Sequence, residues 1–202
     1  MASVLLTVLA GLQKADMFHK GVCWGHGKTA FYNGLSEYAT AEANASMRNL
    51  AATGATHIQI ETAWYVAQCS STALQPLAYT PTDASLVSAI QLARQLGLSP
   101  MLNTHIEVAC KYHGTCPPGC GGRSDIDFGG NTSAWDRWFS SYTAFVRHHA
   151  ALCERAGCAL LTVHVELQGV GAALPDIGAR WAAVIRSARE VFSGQLPMLA
   201  AS

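Results

Sequence analysis

The amino-acid sequence predicts an α/β protein of the (β/α)8 barrel type, present only in part. An amphipathic helix, a glycine and a short apolar strand follow one another four times along the chain. Strands that alternate with helices form βαβ units and a parallel sheet. Polar residues gather near the C-terminal ends of the predicted strands, which is where (β/α)8 barrels place their active sites.

This repeat sets the predicted elements. Its glycines are Gly54, Gly97, Gly157 and Gly194, each just past a helix end, where the left-handed backbone conformation closes the helix. With a first strand at 21–24, the chain has five predicted strands and four main helices. The strands are expected near residues 21–24, 57–61, 100–105, 160–166 and 196–200.

Helix starts and apolar faces support the assignment. We expect Thr80 to cap the second helix, with Pro81 in its first position. We expect Ser133 to cap the third helix. That helix carries aromatic residues at helical spacing over 135–146, which indicates packing against the sheet. The last helix is predicted near residues 180–192.

The chain is short for a closed barrel. A closed (β/α)8 barrel has eight strands and typically about 250 residues, so 202 residues predict an incomplete barrel over 18–202. An open doubly wound sheet is the alternative, since it needs no further strands. Such a sheet usually has a glycine-rich phosphate loop after its first strand. The Gly-His-Gly-Lys segment at 25–28 does not open a helix with that spacing.

Residues 1–17 form a predicted N-terminal extension. Residues 4–12 are apolar, but this stretch is too short to span a bilayer and lacks the basic region of a standard signal peptide. It is either a short helix under the barrel or a weak secretion signal, and we favour the helix. No later segment resembles a membrane span.

Composition argues against several partner classes. Half of the residues are hydrophobic, which allows a large core, and only 13% are charged. The 13 basic residues balance the 13 acidic ones, and there is no basic run or nucleic-acid motif. We therefore expect an uncharged polar ligand, no nucleic acid and no cofactor. The oligomeric state is not predicted.

Cysteine usage bears on the cellular compartment. Four cysteines lie in loop-like sequence: Cys69, Cys110, Cys116 and Cys120. With glycosylation sequons at Asn44 and Asn131, they favour secretion and one or two loop disulfides, while a cytoplasmic location stays open. Three of these cysteines with His113 are an alternative zinc set. Their spacing matches no zinc module, and the Pro-Pro-Gly turn at 117–119 favours disulfides, so no metal is predicted.

Strand alternation predicts a polar barrel interior. Side chains alternate between the two faces of a strand, and three strands separate aliphatic residues from polar ones in this way. The predicted interior residues are His57, Gln59 and Glu61, then Asn103, His105 and Glu107, then Thr162, His164 and Glu166. Any one of them is alternatively a hydrogen-bonded polar core residue. Glu166 closes a buried strand, so it is a candidate acid or base.

Several segments carry a family resemblance. They are Lys-Gly-Val at 20–22, Pro-Thr-Asp at 81–83, Asn-Thr-His at 103–105, Gly-Arg-Ser-Asp-Ile at 122–126, Trp-Asp-Arg-Trp-Phe-Ser-Ser-Tyr at 135–142 and His-Val-Glu-Leu at 164–167. In order and spacing, together with Trp181 and residues 185–189, they resemble glycoside hydrolase family 113, endo-β-mannanases with retaining (β/α)8 barrels. The family has glycine or threonine where this chain has Val165.

This resemblance implies a retaining glycosidase that acts on a β-linked polysaccharide such as mannan, with Glu166 as general acid/base. Such enzymes need a second carboxylate as nucleophile. The clan carries it on the seventh strand, which this sequence does not reach. Glu61 and Glu107 point to the same interior but match no nucleophile position.

The remaining candidates are expected to bind substrate. By resemblance, His105 and Arg123 line the cleft, and the predicted interior adds Glu107 and His164. His105 is alternatively a core histidine, and Arg123 is alternatively paired with Asp125 or Asp127 of its own loop. Trp24 and Trp64 follow the first two strands, where their rings either stack on sugars or pack in the core.

Two other functions compete with hydrolysis at Glu166. One is a non-catalytic carbohydrate-binding remnant of the barrel, which would lack the second carboxylate. The other is a zinc-dependent hydrolase that uses the cysteine-rich loop.

Overall fold

The computed structural model describes residues 20–25, 38–167 and 169–199. The N-terminal extension predicted for residues 1–17 lies outside these residues. Over the described part, strands and helices alternate as the sequence predicts. None of the helices found there is both long and apolar enough to cross a membrane.

The strands are β1 (Gly21–Trp24), β2 (His57–Val66), β3 (Ser99–Val108), β4 (Leu160–Leu161), β5 (His164–Val165) and β6 (Met198–Leu199). The helices are α1 (Ala41–Ala52), α2 (Asp83–Gln95), α3 (Ala109–His113), α4 (Thr132–Ala156) and α5 (Ile177–Arg189). The predicted fourth strand is divided into β4 and β5. Helix α3 is a short addition in the cysteine-rich loop that the sequence pattern did not predict.

The sheet is parallel and follows chain order. Strands β1 to β4 pair side by side in sequence, and β5 pairs with β6. A parallel bridge between Leu160 and Gln195 links the fourth strand to the segment before β6. Parallel strands that pair in chain order, with helices between them, are the arrangement of a (β/α)8 barrel. The predicted fold class is therefore confirmed.

Two predicted N-cap residues each lie two positions from the observed N-cap. Thr82, not Thr80, caps α2, since its hydroxyl accepts a hydrogen bond from the Ser85 amide at 3.2 Å. Thr80 instead donates its hydroxyl to the Ala63 carbonyl at 3.1 Å. Helix α4 is capped by Asn131, which accepts from the Ala134 amide at 3.0 Å. In both places several capping residue types stand close together, so composition alone does not choose between them.

Three of the four repeat glycines have the expected left-handed conformation. Gly157, for example, closes α4 with φ 85°, a conformation that costs glycine least. Gly194 is different, because no positive φ occurs there. A Cβ atom at Gly194 would lie 2.8 Å from the Ala159 carbonyl oxygen. Glycine is needed here because the backbone of Ala159 passes too close for a larger residue.

The hydrophobic core lies between the sheet and the helices, and α4 contributes most of its aromatic side chains. The buried stripe predicted for this helix is present: Trp135, Trp138, Phe139, Tyr142, Phe145 and Val146. Tyr142 reaches the sheet, where its hydroxyl donates to the Val163 carbonyl at 2.8 Å. Trp181 of α5 meets the Tyr142 ring edge-on at 5.4 Å.

A buried histidine in α4 makes stability depend on pH. Burial lowers the pKa of His149 from 6.5 to about 4, although its ring donates to the Phe145 carbonyl. The folded chain holds this ring neutral, whereas the unfolded chain protonates it below pH 6.5. Protonation therefore favours unfolding. The free energy of unfolding falls as pH drops from 6.5 towards 4, by about 3 kcal/mol at the lower end.

Urea denaturation at several pH values checks this expectation. His149→Gln should flatten the acid limb of the stability curve. His113→Gln, which changes an exposed histidine, should leave that limb as it is. Parallel curves for wild type and His149→Gln would contradict the assignment.

Candidate active site

Alternate residues of β2 and β3 face the barrel interior, as strand parity predicts. The aliphatic residues of the opposite face, such as Ile58, Ile60 and Leu102, are fully buried under the helices. The polar side chains converge into what we call the interior cluster. Its members are Cys23, Gln59, Glu61, Asn103, His105, Glu107, Arg123 and Glu166.

Arg123 joins two carboxylates of this cluster. Its Nη1 donates to Glu107 and its Nη2 donates to Glu166. The side chains of Arg123 and Glu107 are only 17% and 15% exposed, whereas that of Glu166 is 51% exposed. A guanidinium fork shared by two carboxylates gives directional, charge-assisted hydrogen bonds. The arginine therefore orients Glu166 while leaving much of this carboxylate open to a ligand.

Among the described ion pairs, Arg123 pairs with neither Asp125 nor Asp127, the two alternative partners. Asp127 accepts from the Gly129 amide at 3.0 Å. Asp125 instead accepts backbone hydrogen bonds from Gly121 at 2.7 Å and Gly122 at 3.1 Å. These bonds shape the loop that presents Arg123, so the aspartate braces the loop without pairing with the guanidinium.

Glu61 forms a second group beside the first. Its Oε1 accepts from the Cys23 thiol at 3.0 Å and from Gln59 at 3.4 Å. His105 Nε2 lies 3.8 Å from the same carboxylate and accepts from the Asn103 amide at 2.7 Å. Burial and then Arg123 lower the pKa of His105, partly opposed by the three surrounding glutamates. A neutral ring fits its role as an acceptor.

Cys23 should react slowly despite its exposure. Burial, followed by the Glu61 carboxylate, raises the pKa of the Cys23 thiol from 9.0 to about 12. Thiolate is the reactive form, and its loss outweighs the greater nucleophilicity of a more basic thiolate, so we expect alkylation by iodoacetamide at pH 8 to be slower than for a model peptide.

Mass spectrometry over time measures this rate, since the other six cysteines form disulfides. Glu61→Gln should accelerate modification, and Glu107→Gln, which does not contact the thiol, should not. A wild-type rate equal to that of the peptide would contradict the prediction.

The backbone of Glu166 is unusual. Its φ of 54° is the only positive value at a non-glycine residue in the described chain. Left-handed backbone is disfavoured for side chains with a Cβ, and such conformations cluster at functional sites. The turn takes the chain out of β5 and aims the carboxylate at Arg123.

Both tryptophans expected to stack on sugars lie elsewhere. The Trp24 indole donates to Ser46 of α1 at 3.1 Å, and its ring lies 5.0 Å from Tyr38. Trp64 packs against α4, with its ring 5.5 Å from Phe145. Trp64 has the parity of Ile58 and Ile60, so alternation places it on the helix side of the sheet. These placements correct the predicted cleft positions.

His164 is also outside the interior cluster. It is 6% exposed, and its ring meets Trp181 edge-on at 4.8 Å. The strand is interrupted at Thr162 and Val163 between β4 and β5, so strict alternation does not extend to His164. Thr162 keeps the predicted inward position and donates to the Asn103 side chain at 2.8 Å.

An aromatic group was missed by the sequence analysis. Tyr65 lies beside Glu107 in the strand register. Its ring meets Tyr79 at 4.9 Å and Tyr112 at 5.9 Å, both edge-on. Burial, then Tyr79 and Glu107, raise the pKa of Tyr65. Parity continued from Glu61 would have identified Tyr65, but the predicted strand stopped at residue 61 whereas β2 extends to Val66.

The cysteines form three disulfides, one more than the upper number expected. They join Cys69 to Cys120, Cys110 to Cys116, and Cys153 to Cys158. Cys23 is the free cysteine. The first two bridges lie in the loops after β2 and β3, as predicted, and the third spans the C-terminal end of α4.

Fold and site together define a (β/α)8-type protein with carboxylates on the inner face of β2 and β3 and just after β5. The family model of Glycoside Hydrolase Family 113 matches residues 28–200. The chain therefore belongs to glycoside hydrolase family 113. A search of curated proteins found no match.

Solved structures show the same fold. A family 113 β-1,4-mannanase solved as a complex has 20% identity and a TM-score of 0.71, covering 91% of this chain and 55% of its own. The β-mannanase AaManA from Alicyclobacillus acidocaldarius, in complex with ManMIm, has 23% identity and a TM-score of 0.69, covering 91% and 54%. The chain thus spans about half the length of these mannanases.

Proposed function

We propose that this chain is part of a retaining glycoside hydrolase that cleaves β-linked mannan, with Glu166 as general acid/base. The observation that carries the proposal is the placement of Glu166. It follows the fourth-strand segment, is half exposed, and is oriented by Arg123 towards the polar interior. Family membership supplies the reaction class, and the named ligand-bearing mannanases support the substrate.

In this mechanism Glu166 protonates the glycosidic oxygen as the bond breaks. A second carboxylate attacks the anomeric carbon and forms a glycosyl-enzyme ester. Glu166, now a carboxylate, then removes a proton from the water that hydrolyses the ester. The two carboxyl groups of retaining enzymes lie about 5–5.5 Å apart.

Neither described candidate suits the nucleophile role. Glu107 is held by the same guanidinium as Glu166, and Glu61 accepts from Cys23 and Gln59. We therefore propose that the nucleophile lies in the remaining part of the barrel, outside this chain. Glu107 and His105 would line the cleft and bind sugar hydroxyls.

Arg123 is proposed as a positioning residue. Arg123→Met in a polypeptide with the complete barrel should lower kcat about 100-fold, because a misplaced catalytic group costs about that much. KM should change less, since much of the substrate is bound elsewhere. Arg123→Lys keeps the charge without the fork, so it should recover only part of the rate. Steady-state kinetics of both variants measure this, and an unchanged kcat in Arg123→Met would contradict the role.

The test of the function uses the longest natural polypeptide that contains this chain. Nuclear magnetic resonance follows its action on β-1,4-mannohexaose, with cellohexaose as the matched control. We expect cleavage of the mannan oligomer and a first product of retained β configuration. A first product of α configuration would contradict the mechanism. Binding without cleavage would support the carbohydrate-binding remnant instead.

A further inference from the structure

Two disulfides from two loops lie side by side in the structure. We call Cys69, Cys110, Cys116 and Cys120 the sulfur cluster. The sulfurs of the last three all lie within 4.8 Å of one another, and Cys69 is bonded to Cys120. Between the two bridges, Cys110 Sγ lies 4.0 Å from Cys120 Sγ.

We propose that the reduced sulfur cluster is a tetrathiolate site for zinc or a similar soft divalent cation. Zinc binds four thiolates tetrahedrally at about 2.3 Å, which separates neighbouring sulfurs by about 3.8 Å. Cys110 and Cys120 already have nearly this separation. To complete the tetrahedron, the two bonded pairs open by about 2 Å on reduction, and the Cys69 sulfur moves towards the three sulfurs that already lie within 4.8 Å of one another.

The surroundings suit a buried metal site. Cys69, Cys110 and Cys120 are each 7% exposed, so water competes little for the ion. The Cys69 amide donates to the Cys120 sulfur at 3.1 Å, and such hydrogen bonds to ligand sulfurs stabilise thiolate. The three-cysteine set in the loop after β3 has no fourth thiol of its own. Cys69, which follows β2, supplies it.

The exchange between the two states is chemically balanced. A dithiol reductant gives each disulfide two electrons and two protons, forming two thiols. Zinc then displaces four protons from the four thiols. The cluster thus fits both compartments that the sequence leaves open, with disulfides where conditions are oxidising and zinc where they are reducing.

The site would be structural. Four protein ligands leave no open position for water, so this ion would not catalyse hydrolysis. It would brace the two segments that carry the Arg123 pair, since Glu107 comes three residues before Cys110 and Arg123 three residues after Cys120. This inference does not depend on the proposed hydrolase function.

Metal titration of the whole chain tests the proposal. The chain reduced with tris(2-carboxyethyl)phosphine should bind one equivalent of Zn²⁺. With Co²⁺ it should show the thiolate charge-transfer and intense visible bands of a tetrahedral sulfur site. The air-oxidised chain, identical in sequence, should bind none at this site. A reduced wild-type chain that binds neither metal overturns the proposal without reference to any variant.

Variants identify the ligands. Cys110→Ser should reduce bound zinc from one equivalent to none. Cys23→Ser and the Cys153→Ser/Cys158→Ser pair, which remove cysteines outside the cluster, should keep the full equivalent. His113→Gln should also keep it, and loss of the cobalt bands in that variant would overturn the four-sulfur assignment.

Discussion

Glu166→Gln, in a polypeptide with the complete barrel, is expected to lower kcat on β-1,4-mannan about 1,000-fold, the scale of losing a general acid/base. Glutamine keeps the size of the side chain and still meets Arg123, but it cannot donate a proton to the leaving oxygen. Initial rates of reducing-end release measure the loss. Glu42→Gln, an exposed change in the first turn of α1, is the matched control.

A second substrate separates the acid role from a general loss of structure. Aryl mannosides with acidic phenol leaving groups need little protonation. Their glycosyl-transfer step should therefore be slowed far less than that of mannan. Equal losses on both substrates, or full activity on mannan, would contradict the assignment of Glu166 as the acid.

Trp138→Ala is expected to lower the free energy of unfolding by about 3–5 kcal/mol, the cost of removing a large buried aromatic side chain. Trp138 is fully buried, stacks on Tyr142 at 4.9 Å and meets Phe139 edge-on at 4.9 Å. Its loss leaves a cavity among aromatic rings that cannot collapse easily.

Urea denaturation followed by circular dichroism measures this change. Trp64→Ala is the matched control, because Trp64 is only partly buried and should cost less. Trp138→Phe should fall between wild type and Trp138→Ala. A Trp138→Ala loss no larger than that of Trp64→Ala would contradict the central place of this residue in the core.

The fold could be predicted because its signals are periodic. The helix-glycine-strand repeat located the main elements, and the aromatic spacing of α4 identified its buried face. Alternation along β2 and β3 placed Glu61, His105 and Glu107 in one interior. These patterns depend on local geometry, which the sequence encodes directly.

The errors have two sources. His164 follows an interruption that alternation does not anticipate. Trp64 obeys alternation and faces a helix, but the predicted strand stopped before it. Tyr65 was missed because hydrophobic runs define the ends of strands poorly. Arg123 lies 16 positions from Glu107 and 43 positions from Glu166 along the chain. Pairings over such sequence separations depend on the tertiary fold.

The left-handed backbone at Glu166 sets stability against activity at one position. Left-handed backbone costs a residue with a Cβ atom roughly 1–2 kcal/mol of stability, and glycine or asparagine at this position would reduce that cost. A protein-engineering screen that rewards only thermal tolerance would therefore enrich for replacements at 166 and discard the carboxylate. Variants of this chain need to be selected for folding and for turnover together.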